Sequence, residues 1–271
     1  MTYNEAALAQ TLSRLLREAA DLDPALAGAL VNLDQYHLGG GEAVDLLIGT
    51  LDLAPGDTVL DVGSGLGGPA RQIARRTGAR VVGVDLAAVY VEAARDLTAR
   101  AELSHLTEFH VADVADFHLP SAFDAAITIH VQMNVADKGA WFSQIGRRLA
   151  PGARLAVWEV CQPPGTSLSW PMPWSLDGTD SHLATESALH HAIEGAGFET
   201  QTWTDRTDWG RNWLGATLAA GGPAGPALPM LIDDGYTRMR NYAGALTGGD
   251  VEVWQGSFIK RSLARADRPT K

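Results

Sequence analysis

A glycine-rich stretch over residues 59–68, VLDVGSGLGG, carries the spacing that points most directly to ligand chemistry. Its glycines match G-x-G-x-x-G from Gly63 onward, and Asp85 follows Gly63 by 22 residues, a combination typical of dinucleotide sites. Asp61, however, stands two residues before the first glycine. A buried carboxylate there would repel a pyrophosphate and attract an ammonium group. The loop is therefore predicted to hold a cationic group, with no phosphate at this point.

S-Adenosylmethionine (SAM) meets this requirement, because its methionine end carries an amine next to a carboxylate and a sulfonium. The amine would face Asp61. The backbone amides of the loop can receive the carboxylate, and glycine lets the backbone approach closely. The loop residues predicted to bind the cofactor are Gly63, Ser64, Gly65 and Gly67.

Two further acidic residues end predicted strands and complete the expected cofactor site. Asp85 ends VVGVD and is placed to accept hydrogen bonds from both ribose hydroxyls, while Leu86 beside it can cover the adenine. Asp113 in HVADV is placed to accept from the adenine amino group, and Val114 can lend its amide. Because the carboxyl ends of parallel strands meet at one edge, these carboxylates share a crevice with Asp61. Any one of the three could instead be a helix cap.

The elements that must position these residues alternate between short apolar runs and helical stretches. The runs predicted as strands are TVLDVG, ARVVGVD, LTEFHVAD, FDAAITIH and ARLAVWEV, with helices near 67–77, 87–101 and 137–149 between most of them. Such a pattern is typical of a parallel sheet covered on both faces. The core is therefore predicted to be a doubly wound α/β fold.

Further elements precede and follow this core. Before it we predict helices over 4–20 and after Pro24, a break at Gly39–Gly41, and a helix starting near Glu42. After it come a helix at 184–195, a strand at 198–204 and a final strand VEVWQGSFIK. Two insertions interrupt this part, a proline-rich one at about 161–182 and a helical one at about 205–250, with helices at 207–219 and up to about Leu246.

Together, LDVGSGLGGPARQIA, VVGVDL, VADVADF and FDAAITIHVQMNVADKGAWFSQIGRRLAPGARLAVWE resemble the successive motifs of class I SAM-dependent methyltransferases. The resemblance is strong over about 30–160 and is nearest to the branch with sarcosine/dimethylglycine N-methyltransferases, ubiquinone-type C-methyltransferases and geranyl diphosphate C-methyltransferases. It implies a seven-stranded sheet of order 3-2-1-4-5-7-6 whose last strand is antiparallel. The corresponding organisation is a helical lid over 1–50 and a methyltransferase domain over 51–271. It also implies that Tyr36 and the glycines after it close over the methionine end, and that His130 lines the transfer point.

Methyl transfer from a sulfonium is an in-line displacement, so a base is needed only for some nucleophiles. Glu159 ends the predicted fifth strand and is the first candidate for a base or a contact to a substrate cation; the alternative is a solvent-exposed strand end. His130 and His37 are the second candidates, although a lone histidine is more often structural.

Seven of the eight tryptophans follow the start of the fifth strand. This distribution predicts an aromatic substrate cavity under a cap, lined by Trp158, Trp174, Trp203 and Trp213; the alternative is that they form the core of the cap. Aromatic walls suit an apolar or aromatic substrate or a cation. A diphosphate would require basic residues, and the second insertion contains Arg206, Arg211, Arg238 and Arg240.

Composition excludes broad classes. A net charge of −11, from 21 basic and 32 acidic residues, argues against nucleic-acid binding, and the single Cys161 excludes an internal disulfide and favours the cytoplasm. We expect no membrane segment and no metal site, and the oligomeric state stays open.

The sequence thus predicts a methyltransferase that acts on nitrogen or carbon of a small metabolite and yields S-adenosylhomocysteine. The alternatives are a cyclase or pericyclic catalyst with the same cofactor site and, disfavoured by Asp61, an NAD-dependent oxidoreductase.

Overall fold

A computed structural model describes residues 34–35, 37–119, 121–220 and 232–262. The helices predicted over 4–20 and after Pro24 lie outside these residues, and so does Tyr36. Part of the second insertion, 221–231, is also outside them.

The helices and strands alternate along the described chain as the sequence predicts. The helices are α1 (Gly40–Leu51), α2 (Gly68–Thr77), α3 (Ala88–Arg100), α4 (Lys138–Arg148), α5 (Glu186–Gly195), α6 (Thr207–Ala219) and α7 (Gly235–Gly248), with a short 3₁₀ helix at Gln132–Asn134. The strands are β1 (Thr58–Val62), β2 (Arg80–Asp85), β3 (Thr107–Val111), β4 (Phe123–Ile129), β5 (Leu149–Cys161), β6 (Phe198–Asp205) and β7 (Glu252–Lys260).

The seven strands form one sheet in the order β3-β2-β1-β4-β5-β7-β6, which confirms the predicted order. The strands from β1 to β5 pair in parallel, whereas β7 runs antiparallel to both β5 and β6. The direction of winding reverses between β1 and β4. Because ligands of such sheets bind outside the carboxyl ends of the strands at this reversal, the fold places a crevice beyond Asp61 and Ile129.

Apolar residues cover both faces of the sheet in two separate clusters. One cluster joins the sheet to α1, α2, α3, α6 and α7 and includes Leu47, Ile73 and Trp158. The other joins it to α4 and α5 and includes Leu60, Phe142 and Phe198. Since side chains alternate along a strand, neighbours on β5 such as Trp158 and Val157 belong to opposite faces.

Local sequence signals set the helix ends near the crevice. The Asp137 side chain accepts from the amide of Ala140 at the start of α4, and Thr185 caps α5 through the amide of Ala188. Helix α2 has Pro69 in its first turn, and Gly78, its C-cap, has a φ of 74°. In the first insertion, the described chain has one isolated bridge, between Met172 and Ser175. None of the described helices is long and apolar enough to cross a membrane.

Candidate functional site

The loop between β1 and α2 is braced by its own backbone. The amide of Gly63 donates to the Val84 carbonyl at 2.8 Å, and that of Gly67 donates to the Ser64 carbonyl at 2.8 Å. Gly63 has a φ of 75°, and a Cβ there would lie 2.5 Å from Cγ2 of Val131, so this position requires glycine. The amides of Ser64 and Gly65 donate within the protein as well. The amides of four loop residues, Gly63, Ser64, Gly65 and Gly67, are therefore not free to receive a carboxylate, contrary to the expectation.

Asp61 is buried on β1 in front of this loop. Its carboxylate is only 2% exposed, and its Oδ2 has no hydrogen-bond partner. Burial raises its pKa to about 7, the nearby Asp85 adds to the rise, and Arg71 opposes it. The hydroxyl of Ser64 is likewise buried without a partner. Buried polar groups are nearly always paired, so these two atoms are suited to bind polar groups of a ligand.

The other two predicted carboxylates lie at the ends of the neighbouring strands. Asp85 accepts from the amides of Gly65 at 2.8 Å and Ala87 at 2.9 Å, and burial raises its pKa. Asp113 is exposed and accepts from the Ala115 amide at 2.8 Å. Both side chains therefore accept from nearby backbone amides, neither is the N-cap of a described helix, and both retain further lone pairs.

Two apolar residues accompany these carboxylates. Leu86, next to Asp85, is 58% exposed, whereas Val114, next to Asp113, is buried. An exposed leucine at the mouth of the crevice provides an apolar surface for a ring.

The two candidate histidines face each other across the end of β4. Their ring centroids are 6.1 Å apart, with His37 edge-on to His130. Burial lowers the pKa of His37 to about 4, and burial together with His37 lowers that of His130 well below its ordinary value. Both imidazoles are therefore neutral near pH 7. Nε2 of His130 is buried without a partner, whereas Nε2 of His37 is 2.8 Å from Oε1 of Gln35.

Glu159 is fully buried, so the solvent-exposed strand end that was its alternative interpretation is wrong. Its carboxylate accepts from the Thr128 hydroxyl at 2.9 Å and from the amides of Val131 at 3.0 Å and Gln132 at 3.3 Å. Burial raises its pKa to about 7, although these hydrogen bonds oppose the rise. Glu159 thus braces the turn that follows His130, a residue with a φ of 54°.

Three of the four predicted tryptophans belong to the same face of the sheet as Asp61. Trp158 is fully buried and lies edge-on to Trp209, with 5.4 Å between centroids, and its Nε1 has no partner. Trp213 donates from Nε1 to Glu42 at the start of α1 at 3.1 Å. Trp174 is 5% exposed and packs with this cluster.

The structure does not bring Trp203 together with the other three. It stacks on His190 at 5.0 Å and on Trp254 at 5.4 Å, against the opposite apolar cluster. Its Nε1 donates to Glu186 at 2.6 Å. The physical reason is strand alternation: Trp203 pairs with Gly256 of β7 and shares the face of Phe258.

Sequence reasoning missed two residues of this site, Tyr242 and Arg71. Tyr242 on α7 lies edge-on to His130 at 6.5 Å and to Trp174 at 5.9 Å, and its buried hydroxyl has no partner. Arg71 is 4% exposed and donates to the Leu66 carbonyl of the glycine loop at 2.7 Å. Position could have indicated Arg71, the first charged residue after the loop; nothing in the sequence singles out Tyr242.

Comparison with known proteins agrees with this geometry. Residues 59–152 match the family described as "Methyltransferase domain", a segment that runs from β1 into β5 and includes Asp61, the glycine loop and His130. This match covers less than half of the chain, and the order of the strands is the one that the resemblance to class I methyltransferases implies.

The chain is also similar to curated proteins and to solved structures. Methyltransferase GfsG of Streptomyces halstedii is 34% identical over 132 residues, which are 48% of this chain and 47% of that protein, so the chain spans about half of this relative. A geranyl diphosphate methyltransferase solved with SAM has a TM-score of 0.65 at 19% identity and covers 96% of both chains. The [4+2]-cyclase SpnF has a TM-score of 0.63 at 24% identity and covers 83% of this chain and 82% of its own. These structures share the fold.

The residues around the glycine loop fit SAM, because two of their buried polar atoms have no hydrogen-bond partner in the protein. The unpartnered oxygen of Asp61 requires a donor, which an ammonium group supplies. Among the described residues, no group of three or more His, Cys, Asp or Glu is placed to hold a metal ion.

Proposed function

We propose that the protein is a SAM-dependent methyltransferase that methylates nitrogen or carbon of a small, apolar or aromatic molecule and releases S-adenosylhomocysteine. The unpartnered Oδ2 of Asp61, buried two residues before the glycine loop, carries this proposal. An ammonium group at this position satisfies the oxygen and neutralises a carboxylate whose pKa burial raises to about 7. A phosphate at the same position would be repelled.

Each cofactor residue has a role that follows from its chemistry. Asp61 binds the amine, Asp85 the ribose hydroxyls, and Asp113 with the Val114 amide the adenine edge. Leu86 covers the adenine ring. Ser64, whose hydroxyl is buried without a partner, can donate to the methionine carboxylate in place of the loop amides that already donate within the protein. Tyr36, which lies outside the described residues, remains a predicted contact of the methionine end.

SAM supplies an electrophilic methyl group when bound, and the chain's residues align the acceptor and exclude water. His130 and His37 are neutral, because desolvation lowers the pKa of both, so they do not repel the positive sulfonium. Glu159 is a positioning residue, because its carboxylate holds the turn that carries His130. Trp158, Trp174 and Trp213 form the apolar wall, and Trp203 has no part in it.

The nucleophile is one that needs little help from a base. Glu159 already accepts three kinds of donor from the protein, and the lowered pKa of His37, about 4, makes its imidazole a weak base. A neutral amine or an electron-rich carbon meets this condition.

We also propose that residues 1–50 form the lid and that residues 51–271, with insertions at about 161–182 and 205–250, form the methyltransferase domain. The contacts of Gly39 with Trp209 and of Trp213 with Glu42 place the start of α1 against the second insertion, while α1 itself packs on the sheet. The free, buried Cys161 and the net charge of −11 support a cytoplasmic enzyme of small-molecule metabolism that binds no nucleic acid.

Calorimetric titration with SAM, S-adenosylhomocysteine and NAD tests the proposal. We expect binding of the first two and none of NAD. Asp61→Asn should weaken SAM binding about tenfold to a hundredfold, because a charged hydrogen bond is lost. The matched control is Asp96→Asn, since the half-exposed side chain of Asp96 pairs with Arg100 on α3 and has no predicted contact with SAM. NAD binding without SAM binding would defeat the proposal.

The structural likeness to a [4+2]-cyclase favours a second candidate, a pericyclic catalyst that binds SAM without consuming it. SAM with an isotope-labelled methyl group separates the two. Label in the small-molecule product supports the methyltransferase. Product of unchanged mass, formed with SAM left intact, supports the cyclase.

A further inference from the structure

Arg238 on α7 is a buried cation without a carboxylate partner among the described residues. Its side chain is 1% exposed. Its Nη1 donates only to neutral carbonyls of the first insertion, those of Met172 at 3.3 Å and Pro173 at 3.4 Å. Its Nε is buried with no hydrogen-bond partner. A guanidinium in such a position costs free energy of folding unless an anion accompanies it.

Tyr242 lies one helical turn after Arg238 on the same buried face of α7. Its hydroxyl is also buried with no partner, and its ring lies edge-on to Trp174 and to His130. Trp158, on the same face of the sheet, has an unpartnered Nε1. These three side chains can all donate hydrogen bonds. Nε of Arg238, the hydroxyl of Tyr242 and Nε1 of Trp158 have no acceptor among the described residues.

A set of donors without acceptors selects its ligand by charge. Negatively charged oxygens accept from guanidinium and phenol hydroxyl groups more strongly than neutral ones do. The aromatic walls alone would also suit a cation, but Arg238 opposes a second positive charge in the same cavity.

We propose that the methyl acceptor is an organic acid, with a carboxylate or phosphate group bound by Arg238 and Tyr242 and an apolar body against Trp174. The ring of Tyr242 lies 6.5 Å from that of His130, so the proposed anion site adjoins the predicted transfer point. This inference rests on the proposed function, since it describes the acceptor in the same cavity.

Three probes with the same ring test the inference: phenylacetate, phenyl phosphate and the neutral phenylacetamide. Each is titrated calorimetrically into the full chain saturated with S-adenosylhomocysteine. We expect at least one anion to bind about tenfold tighter than the amide. Tighter phenyl phosphate indicates a phosphate ester as substrate, and tighter phenylacetate a carboxylic acid. Equal binding of all three, or no binding of either anion at millimolar concentration, overturns the proposal.

Variants identify the side chains responsible for the preference for an anion over the neutral amide. Arg238→Met should abolish it, while the control Arg240→Met, at an exposed position of the same helix, should preserve it. Tyr242→Phe removes a single hydroxyl, keeps the ring, and should reduce the preference several-fold, so it tests the site even where Arg238→Met fails to fold. A preference that survives both Arg238→Met and Tyr242→Phe overturns the proposal. Binding of S-adenosylhomocysteine is measured first, without a probe. A protein that does not bind S-adenosylhomocysteine counts against the proposed function and not against the anion site.

Discussion

Nη2 of Arg71 lies 2.6 Å from Oδ2 of Asp34, and the two side chains are only 5% and 10% exposed. The same guanidinium donates to the Leu66 carbonyl in the glycine loop and to the Thr98 hydroxyl on α3. A Cβ on Gly68 would lie 2.4 Å from the Asp34 carbonyl oxygen, so the backbone there is also in close contact. One buried arginine therefore holds the segment before α1 against the cofactor loop.

Removing either partner of this ion pair should be costly, because it leaves an uncompensated buried charge. We expect Asp34→Ala to lower the free energy of unfolding by about 3–5 kcal/mol and to weaken SAM binding. Chemical denaturation and calorimetry measure the two effects. The control is Asp45→Ala: its ion pair with Arg76 is 40% and 60% exposed, and its loss should cost under about 1 kcal/mol. Equal losses in the two variants would contradict this role.

SAM affinity should depend on pH through Asp61, whose pKa is raised to about 7 in the ligand-free protein. The ammonium group binds the ionised carboxylate, so affinity should fall by up to about tenfold per pH unit below 7. Calorimetric titrations between pH 5 and pH 7 measure this slope. Asp61→Asn should flatten it, and a slope that persists in this variant would assign the effect to another group.

The same shift predicts the pH dependence of stability. A carboxylate with a folded-state pKa of about 7 and an ordinary value of 3.8 binds more protons in the folded state between these values. Stability should therefore fall as pH rises through this window in the ligand-free protein. Asp61→Asn should melt at a higher temperature than the wild type at pH 8, although it binds SAM less well. A lower melting temperature would show that the ionised carboxylate has a protein partner.

Glu159 can be distinguished from a catalytic base by its isostere. In Glu159→Gln the amide oxygen can accept from the amides of Val131 and Gln132, while its NH₂ can donate to the Thr128 hydroxyl. We expect kcat within about tenfold of wild type and an unchanged pH profile, whereas loss of a general base typically costs 10²–10⁴-fold. Glu159→Ala leaves these donors unpaired and should destabilise by about 3 kcal/mol or more. Inactivity of a fully folded Glu159→Gln would restore the catalytic role.

The fold follows from local patterns in the sequence. Continuous apolar runs ending in Asp61 or Asp85 predict parallel strands, and the apolar spacing between them predicts helices whose observed bounds differ by at most two residues for α2, α3, α4 and α5. The site follows only in part. Asp61 can be predicted as a site residue because the pattern that indicates it, a strand followed by the glycine loop, is local in the sequence.

Long-range contacts account for what the sequence could not predict. The environment of Glu159 depends on the amides of a turn 28 residues earlier, and the pairing of Arg71 with Asp34 spans 37 residues. The roles of Tyr242 and Arg238 can be inferred only from the structure, because they depend on the packing of α7 beside the proline-rich segment. Strand alternation on β6, by contrast, is local, and it separates Trp203 from the other tryptophans.

Trp203 and Trp174 form a matched pair for testing which face of the sheet takes the substrate. Trp174→Phe removes part of the wall beside Tyr242, so KM for the methyl acceptor should rise about tenfold with little change in SAM affinity. Trp203→Phe changes a stack on the opposite face, between His190 and Trp254, and should leave both KM and kcat within about twofold. Steady-state kinetics with the acceptor varied at saturating SAM gives both values, and thermal melting confirms that each variant is folded. A larger KM effect at Trp203 than at Trp174 would place the acceptor on the face of α4 and α5, where Asp61 does not reach.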